Sequence, residues 1–360
     1  MTLSRSTLPL VAVAVSGGMD SLLSLLLLRQ AGHPVLAVHG RFLSPGPTRD
    51  KAEEDLAEAC ASLGLDLRIF DLTQAFEDRV VAPFVREYEQ GRTPNPCARC
   101  NPALKFGALL DLALGTGAAA LATGHYARLV PDAEGRPGLF RGADPVKDQS
   151  YFLSLVPPQR LALAVFPLGE RFKTDTLATL ASFKATPPQP GESQEICFVP
   201  GDDYRAFLQA RGATLSGPGP IVLADGRELG RHQGLWAYTL GQRRGLQVSF
   251  AEPLYVLGKD RAANALIVGP AVDLPVQGCR VRDLVWHGPK SQWPEIVLAQ
   301  VRYRQKARPV RWKIEGESGG ESLVLTFVDP QERPAPGQVA ALYTDVGQVL
   351  AGGIIADLDE

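Results

Sequence analysis

Apolar residues come in short bursts through the first half of the chain, at residues 10–15, 34–38, 66–71 and 119–122, and each burst reads as a strand. The stretches 20–30, 50–63, 74–88 and 102–114 read as helices, the first closed by Gly32. Strand and helix in alternation predict an α/β fold with a doubly wound parallel sheet covered on both faces. A run Thr186-Pro187-Pro188-Gln189-Pro190-Gly191 suits neither a helix interior nor a central strand. It marks an exposed loop near the end of a first domain, residues 1–200. Residues 201–274 hold one helix, 204–210, among glycine-punctuated segments, which predicts a small mixed central domain. From 275 to 360 six β-like runs, near 281–286, 296–303, 310–314, 323–327, 338–343 and 349–355, are separated by turn signals. One such signal is Glu315-Gly316-Glu317-Ser318-Gly319-Gly320. Short regular strands without helices predict a β-barrel.

Ser16-Gly17-Gly18-Met19-Asp20-Ser21 lies between the first strand and the first helix. Such a turn gathers unpaired backbone N–H groups and the positive end of a helix dipole, which suits a phosphate. Two glycines allow close approach of an anion, and two serine hydroxyls add donors. No Gly-Lys-Ser/Thr follows, so this is not a Walker loop and no lysine is expected at a terminal phosphate. Asp20 is placed to hold Mg²⁺ against phosphate oxygens. The pattern resembles the loop of enzymes that split ATP into AMP and pyrophosphate. In doubly wound sheets ligands bind at the carboxyl ends of the strands, where this turn lies.

The chain has 360 residues, 45% of them apolar, and a formal charge of −2. Its charge is uneven. Between Leu274 and Lys313 nine Lys/Arg face two Asp/Glu, a local excess of +7 that suggests a polyanionic partner at that end. Five cysteines, no amino-terminal signal pattern and no long apolar run predict a soluble, cytoplasmic protein in a reducing compartment.

Thr93-Pro94-Asn95-Pro96-Cys97-Ala98-Arg99-Cys100-Asn101-Pro102 is the second strong feature. Asn101 and Pro102 make an N-cap and first-turn pair, which puts Cys100 at a helix mouth beside Arg99. Both effects favour the thiolate. Cys197 follows the proline loop, which could swing it toward Cys100. Three readings stand together: a zinc site of Cys97, Cys100 and Cys197 with His125 as fourth ligand; an iron–sulfur cluster on the three cysteines; and a thiol pair passing sulfur through a persulfide and then a disulfide. Cys60 and Cys279 read as inert buried residues.

Taken together, these blocks resemble the tRNA-specific 2-thiouridylases. The match comprises the Ser-Gly-Gly-x-Asp-Ser turn, residues 93–101 with Lys105-Phe106, Thr123-Gly124-His125-Tyr126-Ala127-Arg128 and Lys147-Asp148-Gln149-Ser150-Tyr151-Phe152-Leu153. It continues through Ser193-Gln194-Glu195-Ile196-Cys197-Phe198, Gly230-Arg231-His232-Gln233-Gly234 and Thr239-Leu240-Gly241-Gln242-Arg243-Arg244-Gly245-Leu246. The resemblance implies an adenine nucleotide alpha hydrolase-like first domain. It further implies ATP-dependent transfer of sulfur to C2 of the wobble uridine in tRNAs for Lys, Glu and Gln, with a protein donor supplying the sulfur.

By position, the resemblance makes Cys197 the persulfide carrier and Cys100 the nucleophile, the two ending as a disulfide. ATP contacts fall on Ala14, Val15, Ser16, Gly17, Gly18, Met19, Asp20, Ser21, Gly40 and Gly124. Asn95, Pro96 and Cys97 line the target base. His125, Lys147, Asp148, Gln149, Arg302, Tyr303, Arg304, Gln305 and Gln338 match tRNA contacts. If residues 302–304 continue a strand, alternation puts Arg302 and Arg304 on one exposed face, with Trp312 adding an aromatic surface. Two departures matter. Many members carry Asp where this chain has Cys97, which leaves the acid–base role open and favours a three-cysteine cluster. After the second strand, His39-Gly40-Arg41-Phe42 replaces a Met-Lys-Asn-Trp-like run, so an adenine contact at Gly40 rests on backbone. The other readings are an ATP-pyrophosphatase ligase for a small molecule and an RNA-binding protein with a structural metal.

Overall fold

The computed structural model describes residues 8–189, 191, 196–316 and 320–356. Pro190, Ser193, Gln194 and Glu195, and the turn residues Glu317, Ser318 and Gly319, lie outside the described residues. The chain forms two compact units. One comprises Met1–Val80, Cys97–Phe198 and Gly347–Val349; the other comprises Val81–Pro96, Val199–Val346 and Leu350–Glu360.

In the first unit, strands β1 (Val11–Ala14), β2 (Val35–Arg41), β3 (Leu67–Asp71), β4 (Ala120–Ala122) and β7 (Ala164–Val165) form one sheet in the order β3-β2-β1-β4-β7. All its pairings are parallel. The chain steps outward from β1 to β3 and then returns to β4, so the order reverses at β1 and β4. In such sheets that reversal opens a crevice at the strand ends. Helix α1 (Met19–Gln30) buries Leu22, Leu23, Leu25, Leu26 and Leu28 against Val11, Val13 and Ala122. α2 (Pro47–Ser62) adds Leu56 and Cys60. A hairpin, β5 (Ala127–Pro131) and β6 (Pro137–Arg141), leaves the sheet, and neither it nor β7 shows as an apolar run.

Two expected straight helices are irregular at prolines. Residues 74–88 divide into Thr73–Phe76, a π-segment Glu77–Val81, and Ala82–Glu89 with Pro83 in its first turn. Proline lacks the N–H that an α-helix needs, and widening to i→i+5 bonds accommodates it. The expected helix 102–114 begins earlier, at Pro96, and runs through a π-segment Asn101–Leu109 that breaks at Gly107 (φ −101°, ψ −108°). A Cβ at Gly107 would meet Pro102 O at 2.6 Å. Arg160 donates to the carbonyls of Phe106 and Gly107 exposed at this break.

In the second unit a four-stranded sheet, order β10-β11-β8-β9, comprises β8 (Gly219–Leu223), β9 (Glu228–His232), β10 (Tyr255–Asp260) and β11 (Ala265–Gly269). The expected helix Tyr204–Ala210 precedes it, N-capped by Asp203. A closed barrel follows: β12 (Pro275–Trp286), β13 (Ile296–Gln300), β14 (Arg308–Glu315), β15 (Ser322–Glu332), β16 (Val339–Tyr343) and β17 (Val349–Ile355). Alternate residues such as Val297, Val310, Leu325, Phe327 and Leu342 fill its interior. The α/β sheet, small mixed domain and barrel are the architecture the apolar pattern predicts. Among the described residues no helix is long and apolar enough to cross a membrane.

Candidate functional site

The turn after β1 is braced by one of its own serines. Ser21 Oγ donates to Gly18 O at 2.9 Å and accepts the Ser16 N–H at 3.1 Å, and Ser21 is buried. One of the two hydroxyls expected to face a phosphate is therefore committed inside the loop. Ser16 stays exposed. Gly17, at φ 84°, makes the sharp turn that places Gly18 at the N-cap of α1. No side chain caps that helix, so its first-turn amides face outward as an anion would require. Val15 N–H bonds Val38 O, which ties the end of β1 to β2. Ala14 ends β1, and Met19 packs on the core below.

A lysine reaches this turn from another part of the chain, although no Walker sequence supplies one. Lys173 Nζ donates to Asp20 Oδ1 at 2.6 Å, from 153 positions downstream. Tyr126 Oη donates to the same oxygen at 2.9 Å and bonds Thr176 Oγ1 at 3.0 Å. Buried Asp144 fixes the Lys173 backbone by accepting its N–H at 2.9 Å. Gly124, just past β4, is pressed on the same point: a Cβ there would lie 2.9 Å from Asp20 C and 3.0 Å from Ser21 N. Only a glycine lets the ends of β1 and β4 converge this closely.

Beside the turn lies a cavity of about 280 Å³ whose walls include Ser16, His39, Gly40, Arg41, Gln189 and Cys197. His39 Nδ1 bonds Val15 O at 2.7 Å, and its Nε2 faces Glu53 Oε1 at 3.9 Å. Arg41 pairs with both oxygens of Glu53, which holds that carboxyl below its usual range. Phe42 stacks on Phe76, and Phe76 meets Phe198 edge-on, so the residue after Cys197 is anchored to the floor of this cavity. Gln189 lies against the turn, its N–H bonded to Gly17 O at 3.0 Å. Gln189, within the proline run, is thus held at the turn after β1.

The three cysteines sit together, but not as the sequence reading placed them. The helix opens at Pro96, so Cys100 is its fifth residue rather than its mouth. Asn101 is buried inside the helical run and donates to Phe152 O instead of capping. Burial pushes the Cys100 thiol up to about 12, Lys105 opposes the shift, and charge on Cys197 or Cys97 adds to it. Burial also raises Cys97 and Cys197, again against Lys105. The cation facing the thiols is therefore Lys105, not Arg99. Cys97 and Cys197 both keep exposed surface, so each sits in a dense wall with one open side. Among the described residues no three His, Cys, Asp or Glu side chains are arranged to hold a metal ion. Cys97, Cys100 and Cys197 lie close enough for their charges to act on one another, whereas the Nδ1 of His125 is taken by Thr123 Oγ1. Cys60 and Cys279 are raised by burial alone, as expected of inert thiols.

The remaining expected contacts divide between interior and surface. His125 is only 7% exposed, bonded through Nδ1 to Thr123 Oγ1 at 2.7 Å and flanked by Phe106 and Phe166. Burial, with the Lys105 charge, holds it well below the usual histidine range, so it is neutral. Asp148 turns inward: it accepts from Arg141, Gly142 N, Ser150 N and Ser150 Oγ. Gln149 Oε1 accepts the Tyr126 N–H at 3.0 Å, whereas Lys147 is half-buried.

In the second unit Gln338 Nε2 donates to the carbonyls of Thr93 and Pro94, at 2.8 and 3.3 Å, which holds the segment leading into Asn95 and Pro96. Strand β13 ends at Gln300, so Arg302, Tyr303, Arg304 and Gln305 form a turn, with Arg304 at φ 64°. Arg302 and Arg304 are exposed as expected, but turn geometry rather than strand alternation exposes them. Trp312 belongs elsewhere on the barrel: it packs edge-on against Trp293 and donates to Pro294 O.

Comparison with known proteins agrees in extent and order. Residues 10–201 match a family described as tRNA methyl transferase HUP domain, 205–270 its PRC-barrel domain, and 276–355 an aminomethyltransferase beta-barrel domain. The chain is 52% identical over 355 residues to the tRNA-specific 2-thiouridylase MnmA of Oleidesulfovibrio alaskensis, covering 97% of this chain and 99% of that protein. It is 52% identical to the protein of the same name from Nitratidesulfovibrio vulgaris strain Miyazaki F, over 96% of this chain and 98% of that one. Against that of Lawsonia intracellularis identity is 44%, covering 96% and 99%.

Proposed function

Because the chain belongs to the tRNA-specific 2-thiouridylase family, we propose that it uses ATP to replace O2 of the wobble uridine, position 34 of tRNA, by sulfur. The observation that carries this reading is that Cys197 lines the same cavity as Ser16 and Gly40, so a sulfur carrier and a nucleotide turn share one space.

A uracil carbonyl oxygen is a poor leaving group, and displacing it requires activation. In our reading the turn amides and Lys173 bind the phosphates of ATP, while Gly40 and Gly124 border the nucleotide. The uridine O2 attacks the α-phosphorus and pyrophosphate departs, its growing charge met by Lys173 and the first-turn N–H groups of α1. Asp20 would hold Mg²⁺, and one carboxylate beside a phosphate loop is a donor set that ion accepts. When bound, the ion neutralises phosphate charge.

A persulfide on Cys197, loaded by a sulfur-carrier protein, then adds its terminal sulfur to C2, and AMP leaves with the former O2. The Cys100 thiolate attacks Sγ of Cys197 and breaks the bond to the transferred sulfur, releasing 2-thiouridine and leaving a Cys100–Cys197 disulfide for an external thiol to reduce. Lys105 favours the thiolates required. Cys97 stands one helical turn from Cys100 and borders the target base together with Asn95 and Pro96. Because the base must leave its stack to enter such a site, recognition is expected to centre on the anticodon loop of tRNAs for Lys, Glu and Gln.

The family descriptions name methyl transfer, but that chemistry would leave both the nucleotide turn and the thiol cluster without a role. The test is pyrophosphate release and 2-thiouridine formation from ATP, tRNA and a persulfide donor. Both are expected only when tRNA is present. Pyrophosphate release without tRNA, or a methylated product, would overturn the reading.

A further inference from the structure

The block Thr239-Leu240-Gly241-Gln242-Arg243-Arg244-Gly245-Leu246 has no part in the chemistry above, yet it is built with care. Gln242 clasps it from within: its Oε1 accepts the Thr239 N–H at 3.0 Å, and its Nε2 donates to Arg244 O at 2.8 Å. Gly241 and Gly245 take φ 80° and 81°, a left-handed turn on each side of the arginines. The main chain at Gly241 and Gln242 is stitched to Val256 of β10 by two hydrogen bonds. Leu240 and Leu246 are buried at the two ends. Between these anchors Arg243 and Arg244 are exposed, and among the described residues neither has an ion-pair partner. Arg243 also edges an open recess of about 460 Å³.

Position gives the loop its meaning. Thr239 Oγ1 lies 3.3 Å from Thr93 Oγ1, at the head of the segment leading to Asn95 and Pro96. Arg302 Nη2 reaches Leu240 O at 3.4 Å, so the turn carrying Arg302 and Arg304 adjoins the same loop. Arg302 is partly offset by Glu332 at 3.7 Å, which leaves Arg243 and Arg244 as the less compensated cations. Unpartnered guanidinium groups on a braced turn suit phosphate oxygens, since the planar fork can meet two of them at once.

We propose that residues 239–246 form a further RNA-binding element, with Arg243 and Arg244 holding backbone phosphates of the tRNA as it approaches residues 93–96. This rests on the thiolation reading. The contacts would position the RNA without reading its sequence.

The test is tRNA affinity of the full chain over a range of salt, with single-turnover thiolation measured alongside. Each lost phosphate contact should reduce the slope of log K against log salt by roughly 0.7–0.9. R243Q/R244Q is therefore expected to flatten the slope by about 1–2 and weaken binding by about tenfold or more at low salt. Its thiolation rate should approach the wild-type value at saturating tRNA. R243K/R244K should restore the slope, and Gln242→Ala should weaken binding while leaving the slope intact. An unchanged slope and affinity in R243Q/R244Q, beside a wild type that binds and thiolates, would overturn this inference alone. So would unchanged tRNA binding with loss only of sulfur delivery from a carrier protein, which would mark a protein-docking loop. A wild type that forms no 2-thiouridine would overturn the underlying reading instead.

Discussion

Lys173 Nζ lies 2.6 Å from Asp20 Oδ1, an ion pair across 153 residues at the start of α1. In the reading above, Asp20 would hold Mg²⁺ and Lys173 would meet the charge of the leaving pyrophosphate. Lys173→Gln is expected to lower the rate of tRNA-dependent pyrophosphate release by about 10²-fold, the usual cost of removing one donor to developing charge. Asp20→Asn should lower it comparably. The double variant should lose much less than the sum of the two, because both act on one charge. Additive losses in pyrophosphate kinetics would refute the coupling.

Gly124→Ala inserts a methyl group 2.9 Å from the Asp20 carbonyl carbon. The α1 terminus must shift to admit it. Stability is expected to fall by about 1–3 kcal/mol, as overpacking typically costs. ATP affinity should fall as well, while tRNA binding stays unaltered. Thermal denaturation and the KM for ATP check this; a variant with normal KM would show that the close approach does not shape the nucleotide site.

Lys105 opposes the upward shift of all three clustered thiols. Replacing it with Met should raise those thiols further and so reduce the thiolate fraction at any pH below about 12. Iodoacetamide should therefore label Cys100 several-fold more slowly in Lys105→Met at pH 8, with the rate still climbing as pH rises. Equal labelling rates in variant and wild type would exclude Lys105 as the cation that serves the thiols.

His125 stays neutral in the fold because burial holds its proton affinity well below the ordinary value of about 6.5. Below pH 6.5 the unfolded chain takes up a proton that the folded chain refuses. Stability contributed by the neutral ring is present above that pH and lost as pH falls, at up to about 1.4 kcal/mol per pH unit. Denaturant unfolding of His125→Gln between pH 7 and 5 should show a shallower loss than wild type. A parallel loss in both would place the acid sensitivity elsewhere.

Features that depend on near neighbours were legible in the order of residues. The turn at Ser16–Gly18, the helix 204–210 and the six barrel strands follow from local apolar pattern and turn chemistry. The same pattern overran at residues 301–303: Val301 and Tyr303 suit a strand, but the chain leaves β13 at Gln300 and turns through Arg304. The helix around Cys100 was misread for a related reason. Asn101-Pro102 has the local form of a helix start, but Pro96 already serves as one and a π-segment absorbs Pro102.

The sequence by itself determined which elements form and which chemical groups the chain carries. Tertiary structure alone decided which of them meet. Lys173 reaches Asp20, Gln189 closes on Gly17, and Tyr126 meets both Asp20 and Thr176. Each depends on the chain returning to the end of β1 from far along the sequence. Local propensity acts within a few residues, whereas burial and charge pairing act between whatever the fold brings within a few ångströms.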